Sequence, residues 1–280
     1  MGTSADNVAI ALFTHKSTFS ELEMISVRQC SAMLSAYSIY VVYPDHLRKD
    51  TFPVEIRKSM ELLPMPSRWF RTIRDYNRMK ILPLLYETFS RFHYLLTYET
   101  DAFVFRDDLI AWCDEAWDYI GAPWFEGVYD VDENSAFTGV GNSGFSLRKI
   151  SSCRKVMKSF RYITPAKQVF TDPRWIRHKG LKRVAAMAAN VTVRNRFHSS
   201  MNSWKGNEDF FWGLHADRRF SWWRTADYDS ASRFSFEANA PRLYQEIGGL
   251  PFGCHKWTEI HRDFWRPHIE SFGHSLPKSY

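Results

Sequence analysis

Apolar positions along the first hundred residues fall into a regular order. Val8 to Phe13 is an uninterrupted apolar run, and Ser38 to Tyr43 (SIYVVY) is a second one, stopped by Pro44-Asp45. Between them Leu22, Ile25, Cys30 and Leu34 recur at roughly helical spacing. Runs without polar alternation suit strands covered on both faces, and strand, helix, strand in about forty residues is a parallel βαβ unit. The pattern predicts an open α/β sheet. Such sheets bind ligands at the carboxyl ends of their strands, where Thr14 and His15 after the first strand and Asp45 after the second would lie.

Further along, Tyr76 to Phe89 reads as helical and leads into an apolar strand from Tyr94. That strand is interrupted by Glu99-Thr100-Asp101 before Phe103-Val104-Phe105. Asp118 to Trp124 reads as a short strand closed by Pro123 and an aromatic, and Val140 to Leu147 as a strand entered through glycines. Asn207 to His215 opens like a helix, with acids in its first turn. The C-terminal third is aromatic and irregular. No repeat or low-complexity tract divides the chain, so residues 1–280 are read as one domain.

Composition changes this picture in two places. The 280 residues are 45% hydrophobic, enough for a sizeable core, but no run approaches the roughly 18 apolar residues of a membrane span. Arg161 to Lys205 carries ten Lys/Arg and a single acid, Asp172, a local +9 against +6 for the whole chain. This basic, helical-looking segment is read as an insertion that is either a solvated helical surface or a face for an anionic partner. The partner classes are phosphorylated lipid carriers, a membrane surface, anionic glycans or nucleic acid, the last ranked low since no recognised nucleic-acid motif accompanies the charge. The start of the chain shows no basic region before an apolar one, and Cys30, Cys113, Cys153 and Cys254 form no CxxC pair. A cytoplasmic protein with reduced thiols is expected.

Four groups of residues carry candidate chemistry. Glu99 and Asp101 stand two apart at the end of an apolar strand, where carboxylates are costly to desolvate without a cation. A hard divalent ion or a salt bridge to a nearby arginine would meet that need. Gly141-Asn142-Ser143-Gly144 permits close approach of backbone N–H groups to a ligand, or is simply a turn. Glu208 and Asp209, before Phe210-Phe211-Trp212, offer a general base in a partly dry cleft, or ordinary acidic charge at a helix start. His255 lies between Phe252 and Trp257, either as a metal or phosphate contact or as a packed imidazole.

Taken in order, YETDAFVF, DYIGAPWF, VGNSGFSLRK, NEDFFW and PFGCHKW resemble a bacterial family of glycosyltransferase-like proteins labelled as a domain of unknown function, and more broadly the GT-A fold glycosyltransferases. The resemblance spans roughly residues 8–257 and leaves out 161–205. It implies a single GT-A-like (Rossmann-like) domain with a mixed central sheet flanked by helices, and a nucleotide-sugar-dependent transferase acting on a saccharide or lipid-linked saccharide. Glu99-Thr100-Asp101 occupies the place of the metal-binding DxD motif, with His255 completing a Mn²⁺ or Mg²⁺ site. Glu99 replaces the motif's first Asp. Asp209 falls at the base of inverting members, with Glu208 its acidic neighbour. The loop from Gly141 to Gly144 shapes the donor pocket, Asn77 and Lys80 approach the nucleotide, and Trp124 and Trp257 are acceptor platforms. A module that binds nucleotide sugar or glycan without catalysis is the alternative, and paired carboxylates also suit a glycoside hydrolase.

Overall fold

The computed structural model describes residues 3–127, 131–132, 134–165, 167–168, 180–189, 195–200 and 204–277. The first apolar run forms β1 (Val8–Phe13), all six residues buried, and the second forms β2 (Ser38–Pro44). Between them runs α1 (Glu21–Met33), started by a capping box. The Ser20 hydroxyl accepts from the Glu23 N–H, and the Glu23 carboxylate accepts from the Ser20 N–H. With β3 (Glu61–Met65), β4 (Tyr94–Glu99), β6 (Tyr119–Ile120) and β9 (Phe145–Lys149), these strands make a sheet of order β3-β2-β1-β4-β9-β6. The four from β3 to β4 are parallel; β9 runs antiparallel to both β4 and β6. The predicted mixed sheet flanked by helices is therefore present.

Alternation along β1 explains why both faces are covered. Val8, Ile10 and Leu12 pack with Met24, Val27 and Cys30 of α1. Ala9, Ala11 and Phe13 face Leu85 and Tyr86 of α4 (Pro83–Thr88) and Cys153 and Val156 of α6 (Ile150–Met157). All four cysteines are buried and unpaired with one another. Among the described residues no helix is long and apolar enough to cross a membrane.

Three expectations change on inspection. The helical stretch from Tyr76 to Phe89 is two helices, α3 (Ile73–Met79) and α4, because Pro83 forces Leu82 into extended backbone and starts a new helix. The strand interrupted at Glu99-Thr100-Asp101 is two strands in different sheets. β4 ends at Glu99, and β5 (Phe103–Val104) pairs with β11 (Gly253–Cys254), itself beside β10 (Ser235–Phe236). The two acids mark the place where the chain leaves the main sheet. The stretch from Asp118 to Trp124 likewise divides, into β6 and β7 (Pro123–Phe125), the latter paired with β8 (Phe137–Val140).

The predicted helix after Asn207 runs from Glu208 to Arg219 and is π-helical over Phe211–Ala216. Wide turns of this kind are often found where function shapes a helix. Gly213 sits in that stretch, against the end of β8, where a Cβ would lie 2.0 Å from the Val140 carbonyl oxygen. Of the basic insertion, the structure describes its two ends and a helix, Leu181–Ala189; residues 166, 169–179, 190–194 and 201–203 lie outside the described residues.

The contact at Gly213 is rigid backbone against backbone. Gly213→Ala is expected to cost about 1–3 kcal/mol through overpacking, visible as a lowered Tm in thermal unfolding. An unchanged Tm would mean that this helix does not bear on β8.

Candidate functional site

Register places the site. Phe13 at the end of β1 stands opposite Glu99 at the end of β4, so the residues that follow both strands emerge at the same edge. They open on a cleft of about 520 Å³ whose wall includes Thr14, His15, Lys16, Glu23, Tyr76, Glu99, Thr100, Asp101 and Glu259. The sheet edge expected to bind ligand does carry a cavity, and Thr14, His15, Glu99, Thr100 and Asp101 reach it.

Beneath Glu99 lies Lys80, whose side chain is fully buried. Its ammonium donates to Glu99 Oε1 at 2.5 Å and to the carbonyl and hydroxyl oxygens of Ser143, each at 2.9 Å. The same nitrogen rests 4.3 Å from the Tyr76 ring centre and 4.7 Å from that of Phe13. All three ammonium donors are used, and the rings add cation–π attraction. Tyr76 also donates to Glu99 Oε1 at 2.7 Å. Oε1 is thus committed inward, while Oε2 faces His255.

His255 gathers the remaining acids. Its Nε2 is 3.1 Å from Asp101 Oδ1 and 3.5 Å from Glu99 Oε2, and its Nδ1 is 3.0 Å from Glu237 Oε1. Nε2 is buried yet makes no hydrogen bond of acceptable geometry. Burial disfavours charge at both groups, but neighbours prevail. Lys80 and His255 hold the Glu99 carboxyl well below the usual carboxylate range, and Asp101, Glu237 and Glu99 hold the imidazole well above its ordinary value.

This donor set fits a divalent cation. One atom each from Glu99, Asp101 and His255 lie within 4.8 Å of one another. The 3.1 and 3.5 Å separations are close to the ~3 Å between adjacent ligands of a six-coordinate ion at about 2.1 Å. Glu237, behind His255, is the carboxylate that commonly orients a metal-binding imidazole through its other nitrogen. Gly144 explains the glycine loop, since a Cβ there would fall 2.0 Å from His255 Nε2. The loop is tied to the strand end by the Glu99 N–H, which donates to the Gly144 carbonyl at 2.8 Å.

Asp209 lies on the Glu208–Arg219 helix, half-buried. Burial first, then the charges of Glu208 and Glu237, push its carboxyl up to about 7. Beside it Phe210 stacks on Trp124 with ring centres 4.6 Å apart. The Trp124 indole also packs against the backbone of Gly139 and Gly141, and it remains partly exposed.

Other predicted site residues turn out to be framework. Glu208 is fully buried and paired with the equally buried Arg148 at 2.7 Å, so it cannot reach a substrate. Asn77 is buried; its side chain donates to the Ile73 carbonyl and accepts from the Glu208 N–H. Asn142 is also buried, with Oδ1 accepting from the N–H groups of Gly144 and Phe145, which shapes the loop. Lys80 approaches Glu99 rather than open cavity. Trp257 is fully buried, with its indole N–H donating to Ser26 Oγ and edge-to-face contact on Phe103, so a stacking role is corrected to a core one. Asp45 accepts from Ser67 at the end of β2 and is not part of the cleft wall. Sequence reasoning missed Glu237, Tyr76 and Arg148. Each stands far along the chain from its partner, and no local pattern announces the pairing.

If Glu237 orients His255, Glu237→Gln should weaken Mn²⁺ binding about 10–100-fold in a calorimetric titration, with Tm little changed. Equal affinity in the two proteins would remove Glu237 from the metal site.

No curated protein sequence matches the chain. Among solved structures it is similar to the galactosyltransferase LgtC in complex with donor and acceptor sugar analogs, at 11% identity and TM-score 0.49 over 97% of this chain and 98% of that one. It is also similar to mouse xyloside xylosyltransferase 1 in its apo form, at 9% identity and TM-score 0.43 over 90% and 98%. A third likeness is to a glycosyltransferase involved in the glycosylation of the major capsid of PBCV-1, at 10% identity and TM-score 0.40 over 94% and 98%. A family model matches residues 59–255, a stretch that holds Glu99, Asp101, Asp209, Glu237 and His255. The chain belongs to the family described as "Protein of unknown function (DUF5672)".

Proposed function

We propose that the protein transfers a sugar from a nucleotide-diphosphate donor to an acceptor hydroxyl, with inversion at the anomeric carbon. The observation that carries this reading is the meeting of Glu99, Asp101 and His255 at the mouth of a cleft on the carboxyl edge of a parallel sheet. The acceptor in this reading is a surface saccharide or a lipid-linked one.

Glu99 Oε2, Asp101 and His255 would hold Mn²⁺ or Mg²⁺. A divalent ion bound there supplies compensation for the charge on a diphosphate leaving group. The chain's own residues do the rest. Lys80 and Tyr76 fix one oxygen of Glu99, so the other keeps a set direction. Glu237 fixes the tautomer and plane of His255. Asp209 takes the proton of the acceptor hydroxyl as its oxygen bonds to the anomeric carbon. The carbon–oxygen bond to the diphosphate breaks, and its electron pair leaves with the nucleoside diphosphate. A base with a pKa of about 7 is well matched to this task, because it is substantially ionised at neutral pH and still basic enough to accept a proton. Phe210, next to Asp209 in the chain, and Trp124 stacked on it would offer their exposed aromatic edges to an acceptor sugar.

The working form of Asp209 is the carboxylate, whose fraction grows as pH rises. Turnover is expected to increase through about pH 7 and then level off. In Asp209→Asn it should fall about 10²–10⁴-fold and lose that rise, with donor binding retained in calorimetry. Undiminished turnover would take Asp209 out of the reaction.

Metal dependence has its own test, a thermal-shift panel of nucleoside diphosphates and nucleotide sugars with and without Mn²⁺. Stabilisation by one diphosphate series only in the presence of Mn²⁺ is expected, and its loss in Asp101→Ala. Full activity in excess EDTA would overturn the metal assignment. Donor binding with neither transfer nor donor hydrolysis, across acceptors, would make the protein a binding module.

A further inference from the structure

A second groove lies at the far end of the helix that carries Asp209. Its walls are Phe160, Arg161, Tyr162, Arg196, Arg218 and Arg219, around a volume of about 570 Å³. From Asp209 to Arg218 the helix advances roughly 13 Å at ~1.5 Å per residue.

Four guanidinium groups converge here, and among the described residues none of them forms an ion pair. Arg161, Arg219 and Arg196 are held by carbonyls and rings instead. Arg161 donates to the Arg219 carbonyl at 2.6 Å, and Arg219 donates to the Ile163 carbonyl at 2.6 Å. Arg196 lies over the rings of Tyr162 and Phe160, 5.2 and 6.0 Å from their centres, with its Nε buried and unbonded. Burial and the neighbouring Arg218 both work against the charge of Arg219. Uncompensated like charges at this density are stabilised by an anion from outside.

The same groove is the root of the basic insertion. Tyr162 and Arg196 face each other as an antiparallel bridge. Just inside it, Asn195 exchanges side-chain hydrogen bonds with the N–H and carbonyl of Thr164, at 2.9 and 2.6 Å. The two ends of the insertion therefore meet at the groove. The described helix on this excursion, Leu181–Ala189, turns Leu181 and Val184 to solvent, 88% and 64% exposed, beside exposed Lys182 and Ala185. Phe160 at the groove is 65% exposed. Apolar side chains at i and i+3 beside cationic ones form the combination that settles at a lipid interface, the former among acyl chains and the latter on phosphates.

We propose that the arginine groove and the Leu181–Val184 face together dock the protein on an anionic phospholipid surface. The arginines take lipid phosphates, and Phe160, Leu181 and Val184 enter the headgroup boundary. Nucleic acid would satisfy the arginines but not exposed aliphatic side chains, which have no place along a phosphate backbone. The inference does not depend on the transferase reading.

Co-sedimentation of the whole chain tests it, using vesicles of phosphatidylcholine alone and of phosphatidylcholine with phosphatidylglycerol. Binding to the anionic vesicles only, weakening as salt is raised, is expected. Arg161→Gln with Arg218→Gln, both on exposed positions, should weaken it about thirtyfold, at roughly a factor of five for each basic residue near the surface. Leu181→Ser with Val184→Ser leaves the groove intact and should weaken binding as well, so the idea stays testable if the arginine variant does not fold. Equal binding to neutral vesicles would overturn the proposal, as would indifference to both variants. So would failure to bind vesicles while a single-stranded oligonucleotide or inorganic pyrophosphate binds, since the groove would then be a nucleic-acid or soluble-anion site.

Discussion

The buried ion pair between Lys80 and Glu99 is the constraint on which the site rests. A fully buried ammonium is costly unless every donor is used, and here three oxygens and two aromatic faces use it. Because Lys80 comes from the end of α3, Glu99 from the end of β4 and Ser143 from the loop before β9, one cation fastens three segments at the same point. Its effect on Glu99 is directional. One oxygen is bound inward at 2.5 Å and the other is left toward His255. A glutamate has one more rotatable bond than an aspartate. Lys80 and Tyr76 remove that freedom, which leaves Oε2 with a fixed direction toward His255.

A second buried pair, Arg148 with Glu208, does comparable work for the neighbouring carboxylate. Glu208 and Asp209 are adjacent in sequence, yet their surroundings push them to different duties. Glu208 is locked to a guanidinium in the core, its N–H held by Asn77. Among the described residues Asp209 gains no cationic contact of that kind, and it is pushed up to about 7 by burial and by Glu208 itself. One carboxylate is thus tied into the core, and its neighbour is left to titrate near neutrality. In the proposed reaction the framework residue would therefore still matter, through the charge that it places beside Asp209.

Much of the frame was legible because it is local. Uninterrupted apolar runs at Val8 and Ser38 and the helical spacing from Leu22 to Leu34 each needed only their own residues to be read. Pro83 and the short β6 and β7 show where local reading blurs, since a chain passing from one sheet to another looks the same as one continuing along it. Glu99, Asp101 and His255 could be named from motif order, but their meeting is a fact of topology: β5 and β11 pair antiparallel, which brings the segment after Cys254 back to the end of β4. Glu237 and Tyr76 were not legible, because a carboxylate or phenol that serves another side chain leaves no spacing signature. Trp257 was misread for the converse reason. The chain does not stay extended after His255: Lys256 takes a left-handed backbone conformation (φ 56°) and Trp257 opens a turn with its ring in the core, so spacing from His255 gives no guide to where the indole lies.

The cleft's own charges bear on what can enter it. Lys16 is paired with Glu23 at 2.9 Å, and Lys80 is spent on Glu99. What remains on the described wall facing a ligand is the acid pair Asp101 and Glu259, with His255 just behind Asp101. A nucleoside diphosphate brought to such a wall alone would meet repulsion, and a phosphate-binding cleft without a divalent ion would need more cationic side chains than these. The proposed donor and the proposed ion consequently stand together. In that reading Asp101, which would repel a bare diphosphate, would become a ligand once a cation lay between the two, and His255 would have a reason to be buried among three carboxylates with one nitrogen left unbonded.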